Sequence, residues 1–219
     1  MSTSAHTLPG ADDEVLGWAG RLMQWLRVAM ALVVTNLMLL FGAVAGLVLL
    51  GAMPAAVAAT AVLRRNDLLL GTAETGLVRT FWRTYRAEFW RANRAGIPFW
   101  IAGALLAADL ILLPQSAGPL SAALLVFTLA LAVGFVLTLA TTVTLLSRYD
   151  DGTVAVLRYA VVLPAASLPV SAALVVTLAA WAAIVMTLPV LLPLLAAAVP
   201  LVVIVRLMDA RLDRIEDAG

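Results

Sequence analysis

Arg79, Arg83, Arg86 and Arg94 recur at spacings that bring them to one side of a helix, and Phe81, Trp82, Tyr85, Phe89 and Trp90 supply rings beside them. Guanidinium groups recognise carboxylates and phosphates as planar forks, while aromatic rings settle at the boundary between hydrocarbon and water. The segment 73–95 therefore reads as an interfacial amphipathic helix and as the candidate interaction surface of the chain. Membrane anchoring with attraction to anionic lipid is the simpler reading. It separates from a docking role on whether Arg79, Arg83 and Arg86 can be neutralised without loss of activity.

Two further residues carry intramembrane chemistry. Asp109 is the one acid well inside an apolar run, and an ionisable group there is a functional candidate by default. It precedes Leu113 by four residues, so its carboxylate is also within reach of the headgroups. Asn36 sits deeper, where an amide ties helices together more often than it binds a substrate. Thr138, Thr141, Thr142 and Thr144 could line a polar path, but threonine hydroxyls also bond silently to their own helix.

The missing residue types exclude much else. The chain has no Cys and no Lys, and its one His is His6 in the N-terminal tail. Disulfides, thiolate nucleophiles, Schiff bases, P-loop lysines and imidazole metal clusters are all excluded. No cofactor, metal or catalytic residue is expected, and so no enzyme. A net charge of +1 gives no reason to expect nucleic acid.

The elements that must hold these residues follow from hydropathy. Of 219 residues 63% are hydrophobic and 12% charged, a composition for lipid rather than water. The expected fold is an all-α polytopic transmembrane bundle, with about six spans in three hairpins and interfacial amphipathic helices. Residues 1–27 read as a tail and interfacial helix, with Val15, Trp18, Ala19, Leu22 and Leu26 on one face. The charges among them and the long run behind them argue against a cleaved signal peptide.

A single transmembrane domain is expected over 28–207, followed by a charged tail at 208–219. From Val28 to Leu63 there is no charged residue, a run that would be about 54 Å long as one straight helix. Gly51 and Pro54 supply the expected hairpin break, giving spans at 28–50 and 54–70, the second with a re-entrant alternative. Further spans are expected at 97–113, 120–146, 166–187 and 190–207, with a polar turn at 114–119 and a short interfacial helix at 153–162. Gly42 and Gly46 allow close packing of two backbones. All 14 basic residues are Arg and fall in 1–27, 64–96, 147–158 and 206–219, which puts both termini in the cytoplasm if 28–70 crosses twice.

Thr35-Asn36-Leu37, Gly46 to Ala56 and Arg64-Arg65 resemble the first hairpin of the YesL-like family of bacterial membrane proteins, known also as domain of unknown function 624. Thr80 to Asn93 is similar to the aromatic and basic segment that precedes the family's next span. The resemblance covers residues 18–110 well, and Arg158-Tyr159-Ala160 beyond them. Ala56 departs from it, standing where the family often has Thr. The resemblance implies a bacterial cytoplasmic membrane location and an accessory or regulatory part in carbohydrate uptake, with the lipid bilayer and an ABC-type importer as partners. It supplies no catalytic residue. The rival expectation is a small-solute transporter or channel, which would need polar or broken-helix sites near the midplane.

Overall fold

A computed structural model of the chain describes residues 18–65, 67, 76–115, 118–150, 152–166 and 168–216. The expectations placed on His6, on 11–17, on 68–75, on Ser116, Ala117 and Asp151, and on Asp217 lie outside these residues. The side chains of 211–216 lie outside them as well.

The fold is all-α, with no strand among the described residues. In chain order the helices are α1 (Trp18–Ala45), α2 (Leu49–Arg64), α3 (Leu77–Leu112), α4 (Pro119–Arg148), α5 (Thr153–Ala166), α6 (Leu168–Thr187), α7 (Leu191–Leu195) and α8 (Ala198–Glu216). Among the described residues five helical stretches are long and apolar enough to cross a membrane: Gly20–Ala45, Leu77–Gln115, Pro119–Arg148, Pro169–Thr187 and Leu191–Ala210. The sixth expected crossing, at 54–70, is not among them. At 16 residues α2 is about 24 Å long, short of a hydrocarbon core of about 30 Å.

That short helix is the centre of the bundle. Ala55, Val57, Ala58, Ala59, Val62 and Leu63 are fully enclosed by α1, α3, α4 and α8. Small side chains at these positions let the surrounding backbones come close, which is how helices bind one another where no water is expelled. The alanine-rich run that looked like a weak span is therefore the packing core.

The first hairpin turns earlier than expected. Gly51 and Pro54 both lie inside α2, and the chain reverses at Gly46–Val48. A Cβ at Gly46 would collide with the backbone of Gly51, and one at Gly51 with the carbonyls of Gly42 and Ala43. The two glycines are thus needed for close approach across the turn, not for breaking a helix. Leu49 N–H donates to Leu47 C=O over 2.8 Å around Val48, whose φ of 66° and ψ of −62° are those of a strained γ-turn. Proline is tolerated at position 54 because it stands little more than a turn inside α2, where few intrahelical bonds precede it.

Three other boundaries move. α1 runs without interruption through 27 and 28, so the described part of the N-terminal approach is continuous with the first span. α3 joins the expected interfacial helix at 73–95 to the expected span at 97–113 in one rod of 36 residues, with Pro98 accommodated inside it. The last expected span, 190–207, is interrupted: α7 ends at Leu195, Ala196 and Ala197 form a turn, and α8 continues past 207 to Glu216. The α3–α4 hairpin has the expected form, a 3₁₀ turn at Leu113–Gln115 followed by Pro119 in the first turn of α4.

Candidate interaction surface

The long rod α3 presents two unlike sides. Phe81 and Tyr85 are buried, and Trp82 and Phe89 are half-buried against the same cluster formed with Ala55, Ala58, Ala59 and Val62 of α2. Phe81 and Tyr85 stack with ring centroids 6.2 Å apart, and Trp82 meets Tyr85 edge to face at 5.3 Å. The Tyr85 hydroxyl donates to the Gly42 carbonyl of α1 at 2.9 Å. This overturns the expectation that the aromatic face lies in the membrane interface. Helical periodicity reports that a face is apolar, and here other helices cover it before lipid can. Trp90 is the exception, with 70% of its surface exposed.

Arg79, Arg83, Arg86 and Arg94 all point outward from the opposite side. Arg79, Arg83 and Arg86 line a shallow basin together with Trp82. Among the described residues none of these three has a carboxylate partner, and Arg94 bonds only to the Trp90 carbonyl of its own helix, at 3.3 Å.

The remaining arginines of the region behave differently. Arg64, at the end of α2, meets Asp209 of α8 at 3.0 Å and donates to the Thr144 carbonyl at 3.3 Å, while Arg148 approaches the other oxygen of Asp209 at 3.4 Å. Arg91 pairs with Glu88 at 2.8 Å and donates to the carbonyls of Leu146 and Tyr149. The Leu146 and Tyr149 carbonyls that Arg91 reaches lie at the C-terminus of α4, beyond the last intrahelical bond from Tyr149 N–H to Leu145 C=O, and the guanidinium groups place positive charge at that negative end. They gather the ends of α2 and α4 and the middles of α3 and α8 into one polar layer. Sequence reasoning missed this layer. Only the Glu88–Arg91 pair had a local signal, its i,i+3 spacing. Outside the bundle, Arg65 is held further above its ordinary pKa by its hydrogen bonds to Asp67.

Asn36 is fully buried and makes four hydrogen bonds across the interrupted helix. Its amide nitrogen donates to the carbonyls of Leu192 at 3.5 Å and Pro193 at 2.8 Å. Its oxygen accepts from the backbone N–H of Ala197 at 3.0 Å and Ala198 at 3.1 Å. The side chain thereby serves as an N-cap for α8 and a tie for α7, the sort of repair that a broken helix at membrane depth requires. Both ends of the amide are occupied, so it has little left to offer a solute.

The threonines of α4 bond to their own helix: Thr138 to Gly134, Thr141 to Leu137, Thr142 to Thr138 and Thr144 to Ala140, at 2.8–2.9 Å. Asp109 is not drawn to the Arg layer. It lies at the far end of α3, exposed on the rim of a cleft between α3, α4 and α5. Gly42 packs within the monomer, facing Ala55, Phe81 and Tyr85. Among the described residues no group of His, Cys, Asp and Glu is placed to hold a metal ion.

Residues 32–110 match a family described as "Protein of unknown function, DUF624". A protein of Bacillus subtilis (strain 168) described as "Uncharacterized protein YteU" is 34% identical over 100 residues, which is 46% of this chain and 44% of that relative. The similarity thus spans less than half of either chain. The family match covers α2, half of α1 and nearly all of α3, the three helices that build the central packing and the Arg-bearing rod. No solved structure matches the chain.

Proposed function

We propose that this chain is a member of the YesL-like family, DUF624, and acts as an accessory or regulatory membrane component that docks a carbohydrate-uptake system through the Arg side of α3. The single observation that supports the reading is the division among the arginines. Arg64, Arg91 and Arg148 are consumed in tying the helices together, whereas Arg79, Arg83 and Arg86 stand together without a carboxylate partner among the described residues, on a rod whose other side is locked into the core. Three cations held close on a rigid scaffold repel one another and gain most from an acidic counterpart, and little ordering is needed to meet it. The orientation that follows from the positive-inside rule turns this side toward the cytoplasm.

Purification from native membranes in mild detergents tests the reading. Recovery of a sugar-import permease or its ATP-hydrolysing subunit in stoichiometric amount supports it, and repeated recovery of this chain alone overturns it.

The interrupted α7–α8 segment is the observation that favours a transporter instead, since discontinuous helices build many substrate sites. Asn36 weighs against it, because the amide already fills the backbone positions a substrate would use. Proteoliposomes containing only this protein are expected to remain impermeable to sugars.

A further inference from the structure

The cleft that Asp109 borders is lined almost entirely by apolar side chains. Phe99, Leu106, Leu131, Phe135, Leu157 and Val161 are among the residues that line it, in a volume of about 660 Å³. Two of its lining side chains have polar groups. Thr138 spends its hydroxyl on the Gly134 carbonyl, and Asp109 has no hydrogen-bond or ion-pair partner among the described residues. The cleft opens sideways, since Leu105, Leu131 and Val161 on its margins are 47–64% exposed.

Its position matters as much as its lining. All of its α3 and α4 residues belong to candidate membrane spans, so the opening faces acyl chains rather than water. Along α3 the lining runs from Pro98 to Asp109, about 16 Å, which is close to one leaflet of a hydrocarbon core about 30 Å thick. Asp109 marks the end remote from the Arg layer, one helical turn before the Leu113–Gln115 turn where α3 meets the interface. A groove one leaflet long, with a lone carboxylate at its headgroup end, has the shape and charge pattern of a lipid.

We infer that this cleft is a binding site for one acyl chain of a phospholipid whose headgroup ends in a primary ammonium, as in phosphatidylethanolamine, and that Asp109 selects that headgroup. The carboxylate accepts charge-assisted hydrogen bonds from the ammonium N–H groups. A choline headgroup has no N–H to donate, and a glycerol headgroup has no positive charge. The acyl chain fills the groove along Phe99 and Phe135. This inference concerns the α3–α4–α5 side of the bundle and does not rest on the Arg surface.

Native mass spectrometry of the purified full-length chain tests it, using phosphatidylethanolamine, phosphatidylcholine and phosphatidylglycerol of identical chains. The wild type is expected to retain the ethanolamine lipid at least tenfold over the other two. Asp109→Asn, which disturbs no internal contact, is expected to erase that preference while leaving the protein folded. Gly134 opens onto empty space, so Gly134→Phe is expected to fill the groove and abolish retention of all three lipids with Asp109 intact. Equal retention of the three lipids by the wild type, an unchanged preference in Asp109→Asn, or undiminished retention in Gly134→Phe would each overturn the inference.

Discussion

The Tyr85 hydroxyl of α3 and the Gly42 carbonyl of α1 meet at 2.9 Å, and this one bond records which way the aromatic side of α3 is turned. Gly42 is glycine because a Cβ there would stand only 3.1–3.3 Å from Ala55, Phe81 and Tyr85. Tyr85→Phe is expected to cost about 1 kcal/mol, the net worth of a hydrogen bond, because the Gly42 carbonyl keeps its bond from Gly46 N–H. Gly42→Val is expected to cost more, about 2 kcal/mol, by overpacking. Thermal unfolding in detergent distinguishes these values from the near-zero change expected if the rings faced lipid.

Asn36 and Thr35 form a matched pair for a second test. Both are fully buried, but Thr35 bonds the Ala31 carbonyl of its own helix while Asn36 bridges to α7 and α8. Asn36→Ala leaves two carbonyls and two N–H groups short of a partner, and should lower stability by about 2 kcal/mol or more. Thr35→Val should change it by less than about 0.5 kcal/mol, because no interhelical bond is lost. Equal melting temperatures for the two variants would contradict the bridging role.

The α1–α2 turn gives a third. Gly46→Ala and Gly51→Ala force a Cβ into opposing backbone and should destabilise by about 2 kcal/mol each. Pro54→Ala should leave the turn in place, since the reversal occurs at Gly46–Val48. Val48→Gly should stabilise by about 1 kcal/mol by relieving the positive φ. Paired cysteines at positions 44 and 49 would report by crosslinking whether the turn persists in each variant.

Much of this architecture was legible because lipid imposes simple rules. The α3–α4 hairpin announced itself through a polar turn between two apolar runs, and the start and end of α4 fell within two residues of expectation. The first hairpin was misplaced because Gly51 and Pro54 are strong punctuation in water-soluble chains. In a dense bundle Gly51 is instead a contact surface, and Pro54 fits an early helical position. The aromatic face of α3 was found correctly as a face and assigned to the wrong neighbour. Periodicity cannot tell a protein interior from lipid, because both accept Phe81 and Tyr85. Asp209 was invisible as a site, for its partners Arg64 and Arg148 lie 145 and 61 residues away.

That carboxylate carries a fourth prediction. Asp209→Ala leaves the Arg64 and Arg148 guanidinium groups facing each other across a partly enclosed layer. The expected cost is about 1–3 kcal/mol, as for a charged hydrogen-bond network that loses one member. Arg64→Ala added to Asp209→Ala should cost less than the two separate losses combined. Strict additivity in the double-mutant cycle would show that the pair does not interact.

Docking through α3 depends on Arg79, Arg83 and Arg86, and the decisive measurement is the amount of import subunit that purifies with the triple variant Arg79→Gln, Arg83→Gln, Arg86→Gln relative to wild type. The substitutions touch no ion pair among the described residues, so membrane insertion and melting temperature should be unchanged. At least a tenfold loss of the co-purifying subunit is expected at equal yield of this chain. An undiminished amount, with insertion and melting temperature equally unchanged, would contradict it.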